Sequence, residues 1–165
     1  GDITTTMIKC ARGETVLLTH DCSLPRPYSR AQRVQGTRGI WMEDKNALHF
    51  DDFEGERWAP MEEYLESHDH PVWKDFVNDG VRGGHGGMDY LVQRSFIEAI
   101  QAGRQTPIDV YDSVAWMAIT ALSEDSIACG SAPVAFPDFT NGKWMRNRPE
   151  ADCYWSLDGL YEGER

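Results

Sequence analysis

Thr4-Thr-Thr-Met-Ile-Lys-Cys-Ala-Arg-Gly-Glu-Thr-Val-Leu-Leu-Thr-His-Asp21 is the stretch whose reading decides the fold. Thr4 to Cys10 alternates in polarity, and Glu14 to Asp21 is rich in β-branched and apolar residues. Ala11-Arg12-Gly13 between them is a short glycine-bearing turn, so the pair reads as a β-hairpin. Beyond it, Ser23-Leu24-Pro25-Arg26-Pro27-Tyr28 must break any ladder, because each proline removes a backbone donor and fixes φ. Strand character returns at Arg33–Gln35 and Gly39–Met42, and weakly at Ala47–Phe50, so residues 1 to about 50 are expected to form strands of one sheet. The second half turns helical. Short helices are expected at Pro60–Ser67 and Val72–Asn78. From Met88, apolar residues fall at Leu91, Val92, Phe96, Ala99 and Ile100, the 3.6-residue period of an amphipathic helix ending at Gly103. A further helix is expected from Val110 to Ala128, with Asp109 as its N-cap and Gly130 as its stop. Leu91, Phe96, Ile100, Val114 and Leu122 are the expected buried positions. Strands followed by helices imply an α+β fold: an open-faced, mostly antiparallel or mixed sheet with helices packed on one face.

The 165 residues suffice for one domain, and 41% hydrophobic with 26% charged residues is a globular composition. Sixteen Lys and Arg against 27 Asp and Glu leave a net charge of −11. That balance excludes a phosphate-tracking surface, so no nucleic-acid partner is expected. The longest apolar run, Ala132–Phe136, is far short of the ~20 residues a bilayer requires. No export signal opens the chain. Gly1-Asp2-Ile3-Thr4-Thr5 runs straight into a strand pattern, which reads as a piece of a longer protein. The four cysteines, Cys10, Cys22, Cys129 and Cys153, lack any C-x-x-C spacing and read as buried thiols.

Three stretches carry the candidate chemistry. Gly83-Gly-His85-Gly-Gly-Met-Asp89-Tyr90 sets four glycines around one histidine and opens directly into a helix. It reads equally as a ligand-lining His85 or as a tight loop with a locally capping histidine. Pro25-Arg26-Pro27-Tyr28-Ser29-Arg30 is stiffened by its prolines and can hold Arg26, Tyr28 and Arg30 over a pocket. On residues alone, an edge-closing loop with Tyr28 tucked in as a lid is the favoured reading. His68-Asp69-His70, with His85 beyond, invites a metal, but it lacks the helical i, i+4 pairing of metal helices, and no metal is expected. His20 and His49 read as packed or surface histidines. Asp109 and Asp112 are better cap and dipole partners than catalytic acids. Ser123, Ser126 and Ser131 have no G-x-S-x-G setting. No strand-then-GxGxxG unit exists, so no dinucleotide fold lies within these residues.

Together, residues 1–39, His68–Lys74, Gly83–Leu91 and Pro107–Trp144 resemble the C-terminal domain of NAD-dependent glycoside hydrolase family 109, within the Gfo/Idh/MocA oxidoreductases. The resemblance implies that residues 1–165 are the substrate-side domain of a longer enzyme, partnered by its own N-terminal Rossmann domain, which would hold NAD. It implies an α-N-acetylgalactosaminidase whose NAD⁺ oxidises the sugar at C3. Elimination and water addition follow at C1, and the hydride then returns. This logic differs from the usual carboxylate pair. Tyr28 aligns with a substrate-contacting tyrosine of the family's S-P-R-P-Y motif, from which this chain departs at Leu24. The resemblance therefore reverses the lid reading, with Arg26, Arg30, His85 and Asp89 as weaker substrate-binding candidates. It places no catalytic, cofactor-binding or metal residue in this chain, which alone should be inactive. It admits a homo-oligomer through the sheet face. It points to the periplasm or secretion, with the cytoplasm left open. The rivals are a sugar or inositol dehydrogenase of the same superfamily and a non-catalytic carbohydrate-binding or interface module.

Overall fold

The computed structural model describes residues 2–80, 83–146 and 153–156. The chain divides into two compact units, Gly1–Asp69 and His70–Arg165. Together they carry an α+β set of elements with small, open antiparallel sheets.

The first unit begins with the hairpin. β1 (Ile3–Lys9) pairs antiparallel with β2 (Thr15–Asp21), Met7 facing Leu17 across the ladder. The turn closes because Cys10 N–H donates to Glu14 O at 2.9 Å and Gly13 takes φ +113°, a conformation that costs a glycine little. A meander follows: β3 (Arg33–Gln35), β4 (Gly39–Met42), β5 (Ala47–Phe50) and β6 (Ala59–Pro60), each antiparallel to its neighbour. Gly39 is required where β4 meets β5, since a Cβ there would lie 2.7 Å from the Phe50 ring. α1 (Glu62–His68) packs at β6. The core of this unit is Ala47, Leu48 and Ala59, beside edge-to-face contacts of Phe50 with Phe53 and Tyr64.

In the second unit α2 (Pro71–Asp79) starts with proline at its first position, where the missing N–H costs nothing. His70 caps it, its Nδ1 accepting from Val72 N–H at 3.0 Å. α3 (Met88–Gln101) lays Leu91 against Val72 and Phe76 of α2, with Tyr90 and Trp155 packed on this cluster. It ends in a Schellman motif: Gly103 N–H donates to Ile100 O and Arg104 N–H to Ala99 O. α4 (Val110–Ala128) is capped by Asp109, whose carboxylate accepts from Asp112 N–H at 2.9 Å, and closes the same way at Gly130 and Ser131.

Several expectations need correction. The strands form two sheets, one of two strands and one of four, not a single sheet. β2 and β3 do not pair, and the segment between them carries Pro25 and Pro27. All ladders among the described residues are antiparallel, in keeping with the antiparallel form of the expected sheet. Of the five residues expected in the core, only Leu91 is buried. Phe96, Ile100 and Val114 are 55%, 60% and 38% exposed, and Leu122 is half-buried. Their spacing makes the helices, but the described residues leave those stripes largely uncovered. The cysteines are not buried either: Cys22 and Cys129 are exposed, and Cys10 and Cys153 half-buried. The short strand β6 had no signal beyond its single proline-bounded pair.

Candidate functional site

The loop from Cys22 to Gln32 is held at both ends by side chains. Asp21, the last residue of β2, accepts Leu24 N–H at 3.3 Å and pairs with the Arg26 guanidinium. At the other end Ser29 donates its hydroxyl to Asp44 and accepts Ala31 N–H at 2.8 Å. Gln32 N–H donates to the Glu43 carboxylate at 3.0 Å. The loop is therefore pinned to the β4–β5 turn. Between these anchors Pro25 and Pro27 restrict the backbone, and Tyr28 stands out with 85% of its surface exposed. Arg30 Nε–H donates to the Tyr28 hydroxyl at 3.1 Å, which fixes the direction of the ring. Tyr28 is not a lid over the sheet. It is a presented aromatic face with a polar tip, the kind of group that stacks on a sugar ring while hydrogen-bonding a hydroxyl. Arg26 acts on the loop through Asp21, whereas Arg30 acts on the phenol itself.

His85 and Asp89 come together in the second unit. His85, Gly86 and Gly87 take φ of +51°, +66° and +99°, so three successive left-handed residues fold the chain back at the start of α3. His85 Nδ1 then lies 2.9 Å from Asp89 Oδ2, both side chains largely exposed. An N–H on Nδ1 donating to that carboxylate directs Nε2 outward. Gly84 lies close by, and a Cβ there would fall 2.9 Å from the same Asp89 oxygen, so a larger residue would shift that carboxylate. The pair is a local lock that also presents an imidazole nitrogen.

Three of the histidines are held by partners within the protein. His70 is used by its cap and by Nε2–H donating to Ser156 O at 3.1 Å. His49 Nδ1 lies 2.8 Å from Arg57 O, and His68 Nδ1 lies 2.7 Å from Ser67 Oγ. Among the described residues no group of three or more His, Cys, Asp or Glu side chains converges as a metal site would require.

One feature escaped the sequence reading. Tyr154 and Trp155 dock on α2 and α3 and line a cavity of about 60 Å³ with Phe76, Leu91 and Arg94. Trp155 Nε1–H donates to Glu98 at 2.8 Å, Glu98 also takes Arg94 Nε–H at 2.6 Å, and the Tyr154 hydroxyl donates to Asp75 at 2.6 Å. The hydrogen bonds from Arg94 and Trp155 hold Glu98 below the usual carboxylate range. Desolvation first, and Asp75 second, push the Tyr154 phenol up to about 12. The space is well under the roughly 300 Å³ at which small-molecule pockets begin, so this is a clamp and not a hexose site. Its only signal was an aromatic pair in the tail and an i, i+4 Arg–Glu spacing on α3.

The profile of the family described as Glycosyl hydrolase 109, C-terminal domain, matches residues 1–146. The chain belongs to this glycosyl hydrolase 109 family. An alpha-N-acetylgalactosaminidase of Tannerella forsythia is 49% identical over 150 residues, covering 90% of this chain and 32% of that protein. A glycosyl hydrolase family 109 protein of Stenotrophomonas maltophilia is 46% identical over 165 residues, 98% of this chain and 35% of its own length. Another from Parabacteroides distasonis is 45% identical over 151 residues, 91% of this chain and 32% of its own. The chain thus spans about a third of the curated relatives it matches, and it is a domain of a glycosidase family. The glycosyl hydrolase 109 match includes both candidate loops and stops before the Tyr154–Trp155 clamp.

Proposed function

We propose that this chain is the substrate-side part of an NAD-dependent, redox-assisted glycosidase that acts on α-N-acetylgalactosaminides. The observation that carries the reading is the 49% identity over 150 residues with a protein named for that activity. The site geometry supports it through Tyr28, an exposed ring on a loop anchored at Asp21 and Asp44. In this reading Tyr28 stacks on the sugar and hydrogen-bonds a hydroxyl, and Arg30 orients the phenol.

The residues described here do not fit NAD. A dinucleotide site needs a strand leading into a glycine-rich turn and a helix N-terminus open to the pyrophosphate. The glycine-rich turn before α3 follows α2 instead of a strand, and the Asp89 carboxylate stands at the start of that helix. A phosphate placed there would meet a like charge. In this reading, as the family resemblance implies, NAD is held by an N-terminal Rossmann domain of the full-length polypeptide and this chain supplies sugar contacts.

The test uses the full-length protein with an aryl α-N-acetylgalactosaminide and, as control, the matching α-galactoside. Release of the aglycone from the first substrate, with nicotinamide absorbance unchanged over many turnovers, is the expected result. Accumulation of reduced nicotinamide in step with product would make the protein a dehydrogenase. Sugar binding without either signal would make it a carbohydrate-binding module.

A further inference from the structure

We infer that α4 is an interior helix of the full-length protein, enclosed by the polypeptide that precedes this chain and not by a second copy or a bilayer. Over its 19 residues α4 buries none of its side chains, and its apolar residues are spread round the axis instead of gathered in a stripe. At about 100° per residue, Val114 and Met117 point to one side, the half-buried Ile119 points opposite, and Trp116 and Ile127 lie between them. Tyr111 occupies the remaining side. Met117 is 74% exposed and Trp116 58% exposed. Its carboxylates stand only in the first turn, at Asp112, and near the end, at Glu124 and Asp125; the stretch Val114–Leu122 between them carries no charge on any side, the pattern of a core helix.

The occupant follows from the width of this surface. Trp116, Ile127, Met117, Val114 and Tyr111 together cover more than half the circumference. A two-fold contact with another copy covers one stripe of roughly 100°, so it would leave either Trp116 or Tyr111 in water. No helix among the described residues is long and apolar enough to cross a membrane. What remains is chain of the same polypeptide, and there is enough of it. The curated relatives carry about two thirds of their length outside the matched region, and the matched family is described as a C-terminal domain. The inference rests on this chain being part of a longer polypeptide and is independent of which sugar that polypeptide processes.

The experiment places a photo-crosslinking benzoylphenylalanine at Met117 in the full-length protein, mixed with an isotope-labelled copy, and maps the adducts by mass spectrometry. Adducts within one polypeptide to residues preceding Gly1 are expected. Adducts between labelled and unlabelled copies, adducts confined to residues 1–165, or no adduct in folded protein would each overturn the inference. Amide exchange of the unsubstituted protein over residues 110–128 guards against a variant that fails to fold. Exchange at least about 100-fold slower than in the unfolded chain is expected at every protein concentration. Exchange at the unfolded rate, or protection that disappears on dilution, overturns it as well. Glycosidase activity, measured separately, decides the functional reading without touching this one.

Discussion

At Tyr28 the loop chemistry separates binding from folding. The ring contributes almost nothing to the core, being 85% exposed, so its removal leaves the packing of the first unit intact. If the ring faces sugar, Tyr28→Ala in the full-length enzyme loses a stacked face and a hydrogen bond, about 1–3 kcal/mol of transition-state binding. That is a fall of roughly 5- to 150-fold in kcat/KM for the glycoside, with the melting temperature and NAD affinity unchanged. Unchanged kcat/KM in a stably folded Tyr28→Ala protein would remove Tyr28 from the substrate. The residues themselves pointed to a tucked lid, and only the family motif pointed outward, because Asp44 and Glu43, which pin the loop, lie 15 and 11 residues from their partners in sequence. Long-range anchors of this kind leave no periodic trace. The His85–Asp89 contact was closer to legible, since i, i+4 spacing at a helix start brings the two side chains to one face. What the spacing does not reveal is that His85 itself takes a left-handed conformation to reach the carboxylate.

Local signals carried the elements well wherever capping chemistry sits next to the element it ends. Asp109 was legible as an N-cap and Gly103 and Gly130 as stops because each acts on backbone groups within one turn. Asp109→Ala should cost about 0.5–2 kcal/mol, read as a lower urea midpoint with an unchanged slope, while Asp109→Asn should recover most of it. A loss confined to activity, with stability intact, would mean that the carboxylate serves something other than the helix. Sheet partition was not legible, since whether β2 pairs with β3 depends on a partner across a loop, not on either strand's pattern. The clamp on α2 and α3 gives a second element-scale test. Tyr154 is favoured in its neutral form, its pKa pushed up to about 12 by desolvation and by Asp75. Its contribution to holding residues 153–156 against the helices is therefore complete below the ordinary tyrosine range near 10 and fades as pH rises toward 12. Spectrophotometric titration should show one tyrosine ionising late, and Tyr154→Phe should delete that step alone. A late step that survives in Tyr154→Phe would assign it to another tyrosine.

For the whole molecule, the decisive comparison is between the 165-residue chain by itself and a polypeptide as long as the relatives, of which the matched region is about a third. A chain of this length ordinarily buries near 70% of its unfolded surface and unfolds in one step. Here the buried hydrophobic residues fall into small groups, Ala47, Leu48 and Ala59 in one unit and Val72, Phe76, Leu91 and Ala99 in the other. The β1–β2 hairpin forms a sheet of its own, and two strands are marginal in water without a covering layer. α4 exposes Trp116 and Met117. The glycine-rich turn before α3 is occupied by the His85–Asp89 contact. These features are the ones expected if the inference about α4 holds. The isolated chain should therefore unfold in urea over a broad range, with a slope well below that of a fully packed domain of equal length, because less surface changes state. It should bind no NAD at micromolar concentrations and release no aglycone from an α-N-acetylgalactosaminide. Restoring the preceding polypeptide should sharpen the transition and bring both functions back together. A single steep transition in the isolated chain, accompanied by micromolar NAD binding in a calorimeter, would show that these residues hold the cofactor after all and that α4 needs no cover.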